Sequence, residues 1–171
     1  MRYGIDSACT AISSGSRAGA MDFLHVGMKV DDIERSRALY GQLFGMTWEP
    51  VSDYALADAV LEGEVSPSRT LVSHGWTSDG TEIEMVQVVE GRTADHLVLG
   101  EREGLSHVAF SVEDLDSAIA TAEAGGLRRV SEWSSPAVDY VFLSGAALGG
   151  LLVQLVQFKG PRALHRPEVQ P

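Results

Sequence analysis

Two histidines, His25 and His107, sit in runs that repeat each other almost position for position. The runs are Leu24-His25-Val26-Gly27-Met28-Lys29-Val30-Asp31-Asp32-Ile33 and Leu105-Ser106-His107-Val108-Ala109-Phe110-Ser111-Val112-Glu113-Asp114-Leu115. Each sets a histidine in an alternating strand, then an acidic pair, then a helix-like stretch, so the chain reads as a duplicated module. A second pair follows the same repeat: Glu84 in Ile83-Glu84-Met85-Val86-Gln87 aligns with Gln154 in Val153-Gln154-Leu155-Val156-Gln157. Imidazole nitrogens with carboxylate and amide oxygens suit a divalent first-row ion (Co, Ni, Mn, Zn or Fe) and leave positions open for water or substrate, which marks a catalytic rather than a structural site. Taken singly, each of the four is an ordinary strand residue. At homologous points of a repeat, one per first and last strand, they would converge where the modules meet.

The elements that must position these residues follow from periodicity. Val26, Met28 and Val30 point to one face and His25, Gly27 and Lys29 to the other, the period of a strand. Asp31 with Glu34 resembles a capping box, and Ile33, Leu39, Tyr40, Leu43 and Phe44 form a helical stripe that Gly45 ends. A short strand is expected over 46–51, strands over 69–76 and 81–89 around a Ser78-Asp79-Gly80 turn, and the stretch 52–68 is open between strand and helix. The pattern restarts with a strand over 105–112, an Asp114-capped helix with the stripe Leu115, Ala118, Ile119 and Ala122, and strands over 127–133, 138–143 and 151–158. The expected organisation is a flexible extension (1–20), a first βαβββ module (21–91), a connector with one helical turn (92–103), a second module (104–158) and a polar tail (159–171). The fold class is α+β: two modules form a cupped, mostly antiparallel mixed sheet, with helices on the outer face and a lined cavity on the inner one.

At 171 residues, 44% of them apolar, the chain is long enough for a full core. A net charge of −11 argues against nucleic acid and anionic membrane as partners, because both need clustered Lys and Arg. Cys9 alone cannot form an intrachain disulfide, and no run of residues suits a secretory leader or a bilayer span, so a cytoplasmic location is expected.

On the quoted runs, together with Gly149-Gly150-Leu151-Leu152-Val153-Gln154-Leu155, the chain resembles the vicinal oxygen chelate superfamily, which contains glyoxalase I, methylmalonyl-CoA epimerase, extradiol dioxygenases and fosfomycin-resistance proteins. The epimerase branch is the most similar. The resemblance implies His25, Glu84, His107 and Gln154 as metal ligands, within one chain or across a dimer, and a substrate chelated through adjacent oxygens so that the metal polarises its carbonyl. It also implies Glu84 as candidate base. The chain departs from the pattern at Gln154, where epimerases and glyoxalases of this type employ a carboxylate. An amide takes no proton at neutral pH, so a two-base epimerisation needs another group, for which Glu49, Glu132 and Asp139 are candidates by position.

Three functions stay open: a metal-dependent isomerase, epimerase or glyoxalase-type lyase; a mononuclear Fe(II) dioxygenase using the same two histidines and one carboxylate; and a non-catalytic binding or resistance protein. The partner expected is a small molecule with a carbonyl or adjacent oxygens, and unpaired sheet edges suggest a homodimer. Trp48, Trp76, Trp133, Tyr54, Tyr140 and Phe142 are candidate cavity walls, with core packing as the plainer role. His74 could face the cavity, whereas His96 and His165 read as connector and tail residues. Arg128, Arg129, Lys159 and Arg162 read as surface ion pairs that could otherwise meet an anionic substrate.

Overall fold

The computed structural model of the chain describes residues 21–161; the expected extension (1–20) and the tail from 162 onward lie outside the described residues. In each repeat the alternating segment is a strand and the segment after the acidic pair is a helix: β1 (Asp22–Lys29) leads into α1 (Ile33–Phe44), and β8 (Gly104–Ser111) into α3 (Leu115–Ala124). The first half continues with β2 (Thr47–Trp48), β3 (Ser52–Leu56), β4 (Val60–Leu61), β5 (Glu64–Val65), β6 (Ser68–Trp76) and β7 (Glu82–Glu90). The connector holds α2 (Asp95–Leu99), and the second half ends in β9 (Arg128–Ser134), β10 (Val138–Ser144) and β11 (Leu152–Phe158).

The helices start where a short carboxylate relieves their unpaired amides. Asp114 accepts from the Ser117 amide at 3.0 Å, as expected. In the first repeat the cap is Asp32, accepting from the Arg35 amide at 3.0 Å, and not Asp31, whose own amide donates to Glu103. The first turn of each helix has a further acceptor from the matching last strand: Gln87 Oε1 takes the Ile33 amide at 3.0 Å and Gln157 Oε1 the Leu115 amide at 3.3 Å. Gly45 closes α1 at a φ of 66°, a conformation that costs glycine little.

The strands form one mixed sheet in the order β2-β6-β7-β1-β8-β11-β10-β9-β4-β5, with β3 on β6. The order reads the same outward from the antiparallel β1–β8 seam: β1 lies parallel to β7, and β8 parallel to β11. The duplication is therefore a pseudo-twofold with its axis at the seam.

Segment 52–68 departs from a plain repeat. It forms β3, which pairs with β6, and the β4–β5 hairpin, whose two-residue turn Glu62-Gly63 has φ of 52° and 87°, the mirror-image turn that suits strand twist. β4 pairs with β9 in the other half. Only four peptide steps join Leu56 on one flank to Val60 on the other, at most about 14 Å, so the sheet must curve until its flanks approach. The expected 46–51 strand shortens to Thr47–Trp48, with one further ladder bond from Glu49 before Pro50, which has no amide to give.

On the convex face, α3 buries Ala118 and Ile119 against Val141, Leu143 and Leu155, and α1 buries Ile33 against Val30 and Met85. The stripe expected on α1 is only half right. Leu39, Leu43 and Phe44 are 48%, 61% and 62% exposed, because Leu39 and Leu43 lie about a quarter-turn or more away from the Ile33–Tyr40 line that meets the sheet. The concave face carries the polar positions, and it is the better buried of the two at His25, Lys29 and His107.

Candidate metal centre

The register assembles the site as two equivalent rows. In one, His107 on β8 lies opposite Gly27 on β1, and Gly27 lies beside Glu84 on β7. In the other, His25 on β1 lies opposite Ala109 on β8, and Ala109 lies beside Gln154 on β11. Each histidine thus faces a small residue. At Gly27 the reason is visible: a Cβ there would come within 1.9 Å of the His107 ring.

The rows bring three donors to one place. His25 Nε2 and His107 Nε2 are 3.3 Å apart, and Glu84 Oε2 is 3.6 Å from the first and 3.3 Å from the second. Donors about 2.1 Å from a tetrahedral ion and roughly 100–120° apart lie about 3.2–3.6 Å from one another. The His25–Glu84–His107 set has that spacing. Gln154 is buried in the same cavity wall, and its Oε1 has no hydrogen-bond partner, as a donor oxygen awaiting a cation or ligand would be. The donor set fits a divalent metal.

Sequence comparison then decides the family. Residues 24–142 match the model of the Glyoxalase/Bleomycin resistance protein/Dioxygenase superfamily. The chain belongs to this superfamily. No curated protein matches the sequence. Among solved structures, this superfamily member is similar to the hypothetical protein BH1468 from Bacillus halodurans (15% identity, TM-score 0.63, covering 87% of this chain and all of that one). It is also similar to methylmalonyl-CoA epimerase from Mycobacterium tuberculosis (20% identity, TM-score 0.55, 82% and 88%). A triple mutant of 4-hydroxymandelate synthase from Streptomyces coelicolor matches with 13% identity, a TM-score of 0.57, and coverage of 88% of this chain and 52% of that one.

Around the three donors this superfamily member builds a wider polar network. His107 Nδ1 lies 3.0 Å from Ser106 Oγ and 3.6 Å from Asp95 Oδ1. Asp95, which is buried, comes from α2, so the connector enters the site. On the other side, Glu82 Oε1 is 2.9 Å from His74 Nδ1 and 3.9 Å from His25 Nδ1, while His74 Nε2 is 3.6 Å from Glu84 Oε1. His25, His74 and Glu82 are themselves close enough to form a second donor set sharing His25.

Burial lowers the pKa of His25 to about 4 against the pull of Glu84, aided by the like charges of His107 and His74. Burial acts the same way on His107, but Asp95 and Glu84 overcome it and raise that pKa to about 9. Glu84 is held well below the usual carboxylate range: burial opposes this, and His25, then His107 and His74, prevail. Asp95 is held low by His107, Ser106 and Thr93, again against its burial. Without a metal, the site therefore pairs ionised carboxylates with a protonated His107 and leaves His25 neutral, its lone pair ready for a cation.

The structure brings all four expected ligands into one cavity of about 380 Å³, with Tyr54, Trp133, Tyr140 and Phe142 in its walls. Trp48 and Trp76 are not in the lining; Trp48 packs under α1 beside Tyr40. Nor do Glu49, Glu132 and Asp139 reach the cavity. Glu132 is an exposed partner of Arg129, and Asp139 pairs with Lys159 at 2.7 Å. Arg128 pairs with Glu62, and His96 Nδ1 takes the Thr93 amide; His165 and Arg162 lie outside the described residues. Sequence reasoning left His74 without a role and missed Glu82 and Asp95. Glu82 was findable, since it stands two residues before Glu84 on the same strand face. Asp95 was not, because nothing local says where a connector carboxylate will point.

Proposed function

We propose that this chain is a divalent-metal enzyme that polarises a carbonyl-bearing small molecule and moves a proton next to it, as an isomerase, epimerase or glyoxalase-type lyase. The observation that carries the reading is the mutual 3.3–3.6 Å spacing of His25 Nε2, His107 Nε2 and Glu84 Oε2 inside a cavity. These three would hold the ion, with Gln154 as a fourth, weaker donor. Bound there, the cation would supply Lewis-acid stabilisation of the oxyanion that develops when a proton leaves the neighbouring carbon.

Glu84 is the candidate base. Gln154, its counterpart across the pseudo-twofold, accepts no proton, which favours an isomerase or lyase working with one base over a symmetrical two-base epimerase. His74 is the group nearest to relay that proton: its Nε2 faces Glu84 and its Nδ1 is oriented by Glu82. Methylmalonyl-CoA epimerase, a structural neighbour, supports the proton-transfer class. The reading extends to a homodimer, favoured by Leu39, Leu43 and Phe44, which α1 leaves on the surface; light scattering checks it.

The test is metal analysis of protein purified without added metal, alongside His25→Ala and Glu84→Ala. One divalent ion per chain is expected, lost in both variants. No ion in the parent, and no binding on titration, would sink the proposal. The His/His/Glu set also serves Fe(II) oxygen chemistry, so iron with substrate-dependent oxygen uptake would move the function to a dioxygenase.

A further inference from the structure

We propose that His25 Nδ1, His74 Nδ1 and Glu82 Oε1 form a second, weaker divalent-cation site, set back to back with the first so that the two ions share the His25 ring. The shared ring rests on the metal reading above; the second site stands on donors of its own.

Those donors lie on one face of three neighbouring strands. Val26 lies beside Ile83, which puts His25 of β1 level with Glu82 of β7, and on β6 His74 lies opposite Glu84. The second half has the same two positions: Phe142 of β10 lies opposite Gln154, and Leu152 stands two residues before Gln154 on β11. There both residues belong to the apolar core. The fold therefore needs no polar group at either place. His74 and Glu82 break the pseudo-twofold by burying a ring nitrogen and a carboxylate there, which costs free energy unless their charge and lone pairs are met.

The third donor carries the anomaly. A histidine that ligates a metal through one nitrogen almost always engages the other in a hydrogen bond. His107 obeys, with Nδ1 3.0 Å from Ser106 Oγ. His25 Nδ1 is buried with no hydrogen-bond partner, the one imidazole nitrogen so placed among the described residues. It faces Glu82 Oε1 at 3.9 Å, too far for a hydrogen bond, and the same oxygen is 2.9 Å from His74 Nδ1. These two spacings bracket the roughly 3.2–3.6 Å expected between donors around one tetrahedral ion. One ligand atom from each of the three residues lies within 4.8 Å of the others.

Filling the site leaves every proton accounted for. The proton between His74 Nδ1 and Glu82 moves to His74 Nε2, which is 3.6 Å from Glu84 Oε1, and His25 releases to solvent the N–H proton that it keeps beside the first ion. Both steps, with the loss of the His74–Glu82 hydrogen bond, weaken the second ion, which should bind at least about a thousandfold less tightly than the first.

The experiment is zinc titration of chelator-treated protein by calorimetry and equilibrium dialysis. The parent should take up two ions per chain, one tight and one weak. The double variant His74→Phe/Glu82→Leu gives the first half the residues of the second; it should lose the weak ion and hold the tight one within about threefold of the parent. Glu82→Gln, which keeps size and an acceptor oxygen, should weaken the second ion by at least about tenfold. In protein loaded with two copper ions, spin coupling through the shared ring should bring the low-temperature EPR signal well below two spins per chain. A parent that binds one ion, unaffected by the double variant, leaves the first centre standing and overturns this inference. A weak ion that survives the double variant, a tight ion lost along with it, or two uncoupled copper spins also overturns it. A weak ion that needs His74 and Glu82, in protein with no tight ion, keeps this site and removes the first centre.

Discussion

At the scale of single residues, the site depends on what stands opposite each histidine and behind it. Gly27 leaves the space that the His107 ring occupies, so Gly27→Ala must displace the imidazole. We expect at least about a tenfold loss of metal affinity with about 1–3 kcal/mol of destabilisation, read by zinc titration and denaturant melts. Asp95 acts through His107 and is a positioning residue. Asp95→Ala should lower metal affinity by roughly 10–100-fold and perturb the visible spectrum of a cobalt-loaded site, while Asp95→Asn, which keeps an acceptor, should restore part of both. The two histidines also set a pH window for the metal-free protein. Unfolded, each titrates near 6.5. Folded His25, at about 4, binds fewer protons than the unfolded chain, so its contribution is lost as pH falls from 6.5 towards 4. Folded His107, at about 9, binds more, so its contribution is lost as pH rises from 6.5 towards 9. Thermal melts in chelator across that range should peak near the middle, and His107→Gln should flatten the alkaline limb.

At the scale of elements, each helix start is held by two groups, an aspartate within its own loop and a glutamine on its module's last strand. Gln87→Leu and Gln157→Leu should each cost about 1 kcal/mol, since each leaves a helix-start amide without its acceptor. The two sites lie in different halves, so the double variant should cost about the sum of the two; equilibrium unfolding checks it. The same glutamines tie helix position to the strands bearing Glu84 and Gln154, so the convex-face helices and the concave-face ligands share a mechanical frame. The repeat made these elements legible. Strand, acidic cap, helix and terminal glycine recur in the same order, with a first helix of 12 residues and a second of 10, because each half must bury one apolar sheet face under one helix. The 52–68 stretch was not legible, because its strands are too short to show a period and one of them pairs with the other half of the chain.

At the scale of the whole molecule, the cation would join the halves, since each contributes one histidine. Metal at about a hundred times its Kd should stabilise the folded chain by about 2.7 kcal/mol, a rise in thermal midpoint of roughly 5–10 °C for a chain of this size. His25→Ala and His107→Ala should each abolish that rise. A rise that survives either substitution would place the ion elsewhere. Among the described residues no helix is long and apolar enough to cross a membrane.

The amino-acid sequence by itself determined the duplication, the strand–helix order and the four polar positions, because period-two and helical patterns are local and a repeat makes them twice as visible. Only the tertiary structure decided which nitrogen of each histidine faces the shared point, that Glu82 and His74 orient one side of it, and that a connector carboxylate reaches the other. The physical reason is the β1–β8 seam. Until the two halves pair across it and the sheet curls, residues as distant in the chain as His25, Glu84, Asp95 and Gln154 have no common surroundings, and a buried site's electrostatics belong to those surroundings.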